Sequence, residues 1–122
     1  MKPAALIFSI LLVIFAASAA HSQPAIPDNI REVIPEISGQ EVLIAFSSDN
    51  SDHVTLEVPG RYAEVAATYK NHFVDLGWKE ELEMAMEDTR MLSFSRDGRT
   101  ISIMVTRSDD DSSAVTLNLE RR

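Results

Sequence analysis

The chain has 122 residues, no cysteine, and 19 acidic against 11 basic side chains, for a net charge of −8. Disulfides and thiol chemistry are therefore excluded, and the acidity argues against nucleic acid or anionic lipid as a partner, since both need a cationic surface. The composition suits one domain of about 100 residues held by a hydrophobic core alone.

Residues 1–22 read as a secretory signal peptide. Lys2 gives a positive start, Ala4 to Ala17 is apolar apart from Ser9, and small residues follow. Cleavage after Ala20-His21-Ser22 is preferred to cleavage after Ala17-Ser18-Ala19, so the mature chain is expected to begin at Gln23. An uncleaved anchor is the competing reading, but the run is short and wrongly flanked for a membrane span. With no cysteine behind it, the leader offers no site for lipid attachment. Losing Lys2 leaves ten basic against 19 acidic residues, a mature charge of −9. The expected location is periplasmic or secreted, with no stable membrane anchor after cleavage.

Residues 23–40 carry Pro24, Pro27, Pro35 and Gly39 and read as an extended lead-in with one helical turn after Asp28. Glu41 to Phe46 is nearly all apolar, which suits a strand buried on both faces or central in a sheet. After the polar loop 47–52, His53 to Val58 alternates, with Val54, Leu56 and Val58 on one side. These strands form a hairpin leading into a helix.

Tyr62, Val65, Ala66, Tyr69, Phe73 and Leu76 form one helical stripe. Gly77 is the expected stop in the left-handed conformation, which would bring Trp78 against Phe73 in a Schellman closure. Lys79 to Glu87 is rich in helix formers, yet Leu82, Met84 and Met86 alternate with acids and Ala85. Period two predicts a strand here.

Asp97-Gly98 between alternating runs predicts a two-residue hairpin pairing Arg96 with Arg99. That register sets Phe94 opposite Ile101, Leu92 opposite Ile103, Ser93 opposite Ser102 and Met91 opposite Met104. Parity then calls for a five-residue loop over 108–112 and a three-residue loop over 88–90. One face is expected to hold Leu82, Met84, Met86, Leu92, Phe94, Ile101, Ile103, Val105, Val115, Leu117 and Leu119. The other would hold the serines, threonines, Asn118 and the glutamates. The predicted fold is a single α+β domain over 41–122, two layers deep, with one helix on one face of an antiparallel sheet and the order ββαββββ.

The chemistry is sparse. There is no Gly-x-Ser-x-Gly elbow and no cysteine nucleophile. His53 and His72 are the histidines left after cleavage, and no orienting acid and nucleophile accompany them in a catalytic pattern. Glu80 shares the parity of Trp78 and Leu82, so it is a candidate carboxylate beside an aromatic wall, the basis of a small hydrolase-like alternative. Met84-Ala-Met86, with Trp78 and His72 nearby, is a candidate site for monovalent copper, which soft thioethers select. Those few residues resemble locally the sites of small periplasmic copper chaperones, though those combine them on a β-barrel. Trp78, Glu80 and His72 are the candidate ligand-binding residues. No cofactor is expected. Asp49, Asp52 and Asp109-Asp110-Asp111 lack the spacing of a calcium loop.

Tyr69-Lys70, Phe73, Leu76-Gly77-Trp78 and a meander with Asp97-Gly98 are similar to small exported bacterial domains of unknown function, in which a hairpin precedes a helix ending in Gly-Trp. The likeness runs over roughly 41–120 and implies architecture rather than activity. The expectation is a non-enzymatic exported binding domain, whose partner is an envelope protein or a small ligand.

Overall fold

A computed structural model describes residues 24–122; the expected signal peptide and the cleavage expected before Gln23 lie outside them. Among the described residues two helices and six strands run in the order α1 (Asp28–Arg31), β1 (Glu41–Ser47), β2 (Ser51–Pro59), α2 (Tyr62–Asp75), β3 (Lys79–Met86), β4 (Thr89–Arg96), β5 (Arg99–Asp109) and β6 (Ser112–Arg121). The architecture is α+β. The strands form one antiparallel sheet in the order β1-β2-β6-β5-β4-β3, and α2 packs across one face. The chain order is thus ββαββββ with one helical turn added in front.

The covered face is built by alternation. Val54, Leu56 and Val58 of β2, Val115, Leu117 and Leu119 of β6, Ile101, Ile103 and Val105 of β5, and Leu92 and Phe94 of β4 are all buried. Above them lie Val65, Ala66, Tyr69 and Phe73 of α2. Ile30, Val33 and Ile34 of the lead-in join the same core. Phe73 and Phe94 stack at 5.2 Å between ring centres and fill the middle of the layer.

The helix end is a Schellman closure. Trp78 N–H donates to the Phe73 carbonyl at 3.0 Å, Gly77 N–H to Val74 at 3.0 Å, and Gly77 adopts φ 84°. Trp78 then meets Phe73 edge-on at 5.4 Å. Leu76, expected on the buried stripe, is exposed, because the helix has already ended at Asp75 and Leu76 caps it.

The Asp97-Gly98 turn has positive φ at both residues and sets the pairs expected of it, Arg96 with Arg99 through Met91 with Met104. Val105 pairs with Val115 as parity required, but by a bulge at Ser108 and a two-residue turn rather than a five-residue loop. Met86 pairs with Thr89, so the β3–β4 turn has two residues, not three.

Two further assignments are overturned. β1 is an edge strand, not a central one, because β6 occupies the other side of β2. Its Leu43, Ile44 and Phe46 are exposed. Leu82, Met84 and Met86 lie on the uncovered face, not in the core. The ladder runs Glu80 to Phe94 and then Leu82 to Ser93, leaving Glu81 as an unpaired extra residue. A bulge of this kind inverts the facing of everything beyond it.

Candidate functional site

The ground between α2 and the sheet is filled by side chains, and the sheet's other face is left uncovered. Its rows follow from the pairing. One runs Ile44, Thr55, Thr116, Met104, Met91, Met84 across all six strands. The next runs Phe46, His53, Asn118, Ser102, Ser93, Leu82. The face therefore has three zones: an apolar, sulfur-rich zone on β3–β5, hydroxyl and amide groups in the centre, and an apolar edge on β1. Leu82, Met84, Met86 and Met104 are between 40% and 43% exposed, while Met91, flanked on both sides, is half-buried. At the β1 edge Phe46 stacks on His53 with ring centres 4.7 Å apart.

The candidate residues do not converge. Trp78 is buried, with the Arg99 guanidinium 5.1 Å from its ring centre, so it anchors the core and offers no platform. His72 lies on α2, on the covered side, and its Nε2 is 2.8 Å from the Val33 carbonyl, to which it donates. It ties the lead-in to the helix and stands across the sheet from Met84 and Met86, so the expected site of Met84, Met86 and His72 does not form.

Glu80 keeps the covered side, opposite Phe94, but the bulge parts it from Leu82. It reaches Lys70 of α2 at 4.0 Å, and Lys70 also pairs with Glu83. A hydrogen bond shared with Glu83 pushes the Glu80 carboxyl above its ordinary range, while Lys70 pulls the other way. Glu83, held first by Lys70 and then by Glu80, is pushed down. The cluster is open to water and closes the rim of the helix against the edge strand.

Met91 and Met104 share the open face with Met84, whereas the expected register put them on the side opposite to it. The signal for them was in plain view: every methionine after Met1 falls within residues 84–104. A depression near the start of α2, lined by Arg61, Tyr62, Arg107 and Asp109 to Asp111, is polar and self-neutralised, since Arg107 is held by Asp110 and Asp88. Among the described residues no three His, Asp or Glu side chains gather as metal ligands, and no helix is long and apolar enough to cross a membrane.

Residues 39–114, more than half of the chain, match the family described as START domain-like. The chain belongs to that family. The START domain-like match begins just before β1 and ends within β6, so it takes in β1 to β5, α2 and the methionine zone, and leaves α1 and most of β6 outside. No curated protein and no solved structure matches the chain.

Proposed function

We propose that this protein is an exported, non-enzymatic binding module that takes its ligand or envelope partner on the open face of the sheet. The observation that carries this reading is the outward turn of Leu82, Met84, Met86, Met91 and Met104 on three adjacent strands, above a core that is complete without them. Contiguous apolar surface is unusual on an acidic chain and fits a contact surface. The START domain-like family, a ligand-binding fold, supports the same class. The apolar N-terminal run supports export, and the net charge disfavours nucleic acid. The enzyme reading has less to stand on, because Glu80 lies in a solvent-open ion cluster rather than a water-excluded cleft.

The test is site-specific photo-crosslinking in the cells that produce the protein, followed by intact mass of the exported fraction. A photoreactive residue at Met104 is expected to give discrete adducts, one at the exposed helix position Thr68 none, and the recovered chain should begin at Gln23. Adducts at Thr68 alone, or at neither position, would overturn the binding face, and recovery of the full-length chain in the cytosol would overturn export.

A further inference from the structure

The methionines of this chain are concentrated to a degree that core packing does not explain. The sequence has five, and the four after Met1 all lie on the open face of β3, β4 and β5. None belongs to the core, where methionine ordinarily serves as a flexible filler. Met84 pairs with Met91 and Met91 with Met104, so three thioethers stand abreast in one ladder row, with Met86 two residues along from Met84 on the same side. Strands lie about 4.8 Å apart, which makes the row roughly 10 Å wide. Methionine is unbranched and flexible, so the outer two side chains can lean inward and bring their sulfurs over Met91. Two arginines of these strands are turned elsewhere: Arg90 lies over the Tyr62 ring on the covered side, and Arg107 is engaged by Asp88 and Asp110.

We propose that Met84, Met91 and Met104, with Met86 at the margin, form a site for a soft monovalent cation, copper(I) being the biological case. Thioether sulfur is a neutral, soft donor that favours copper(I) and discriminates against magnesium, calcium and manganese, which take oxygen. In an oxidising compartment thiols are lost to disulfides, and a cysteine-free chain that must present soft donors is left with methionine. The acidic chain supplies the negative field that a neutral donor set lacks. The inference rests on the open face being the binding surface, and its donor set replaces the one that included His72.

The probe is silver(I), a redox-inert stand-in for copper(I), titrated into protein recovered from expression of the full-length chain and labelled at the methionine methyl carbons. The methyl signals of Met84, Met91 and Met104 are expected to move together and saturate at one ion per chain, with zinc(II) causing no shift. Met91→Leu keeps the apolar volume and removes the central sulfur. It should weaken binding by roughly tenfold or more, since a lost donor exceeds what losing an outer-shell partner costs. His72→Ala should bind as wild type does. Thioethers carry no proton, so affinity should be flat from about pH 5 to pH 8, the range in which histidine titrates. Affinity that falls with acid through that range would assign a histidine and overturn the site. Equal binding by Met91→Leu and wild type, or uptake that never saturates, would overturn it too. If crosslinking at position 104 persists after the metal test fails, the face binds a partner and the metal inference alone is lost.

Discussion

Met84 stands directly opposite Met91 and on the other side of the sheet from Leu92, because Glu81 is one residue more than the β3–β4 ladder can pair. The bulge lets two demands coexist. Trp78 and Glu80 face the helix, while Leu82, Met84 and Met86, whose register is fixed by the tight turn after Met86, face water. Deleting Glu81 makes the two demands conflict. With the turn unchanged, Trp78 is driven to the open face, at a cost of about 3 kcal/mol for the lost aromatic burial. Trp78 is the chain's single tryptophan, so its fluorescence reads the outcome directly. Emission is expected to shift to longer wavelength and the unfolding midpoint to fall. Unchanged emission and midpoint would mean that the bulge does not set the facing.

That bulge also marks where periodicity stops being informative. The alternation from Trp78 to Met86 is real, but one unpaired residue inverts its meaning, and nothing in the pattern at Glu81 announces it. The Asp97-Gly98 hairpin was legible because its turn chemistry and its alternation depend on the same register and agreed. The strand from Glu41 failed for a different reason. An apolar run says that side chains are hydrophobic, not that a neighbouring strand covers them, and the sheet order is set by β6 pairing with β2 far along the chain. The apolar residues of the lead-in were masked by its prolines, although Ile30 is fully buried. As for the candidate site, the thioethers were legible as donors, but their companions were not, since Met91 and Met104 reach Met84 only through the two-residue turn and the bulge.

Gly77 closes α2 with φ 84°, a conformation that side chains with a Cβ adopt at a cost. A Cβ there would meet only the Arg96 guanidinium, at 4.0 Å, so the space is open and the penalty is purely conformational. Gly77→Ala is expected to lower stability by about 1–2 kcal/mol, and Gly77→Asn by less, because asparagine tolerates the left-handed region. Urea unfolding of the two variants beside wild type checks the ranking. Equal stability of the alanine variant would mean that the helix end relaxes out of the Schellman closure.

Asp52 is a buried acid, 3% exposed, on the covered face of β2. Burial pushes its carboxyl up, but hydrogen bonds from Ser47 and Asn29 and the Arg121 guanidinium together hold it below the ordinary value. The same contacts join α1, the β1–β2 hairpin and the last strand, since Asn29 lies in α1 and Arg121 also donates to the Ser48 and Asp49 carbonyls. A depressed folded pKa contributes stability that is full above the unfolded value, about 3.9, and is lost as pH falls through the folded value. Wild type should therefore lose this increment only in acid. Asp52→Asn should lack it at neutral pH, by roughly 2 kcal/mol, and show a shallower loss on acidification. Parallel pH–stability curves for the two proteins would disprove the assignment.

Tyr69 presents the opposite case, a buried polar group with nothing to hold it. Its ring is fully buried between α2 and the sheet, and its hydroxyl has no hydrogen-bond partner among the described residues. Burial alone pushes the phenol far above its usual ionisation range. A buried unpaired hydroxyl costs about 1–3 kcal/mol, whereas the ring itself is a large part of the core. Tyr69→Phe removes the hydroxyl and keeps the ring, so stability is expected to hold or rise by about 1 kcal/mol. Tyr69→Ala, which also removes the ring, should cost about 4 kcal/mol. A loss above about 1 kcal/mol in the phenylalanine variant would mean that the hydroxyl is satisfied in solution by a buried water, and that the layer beneath α2 is wetter than its side-chain packing implies.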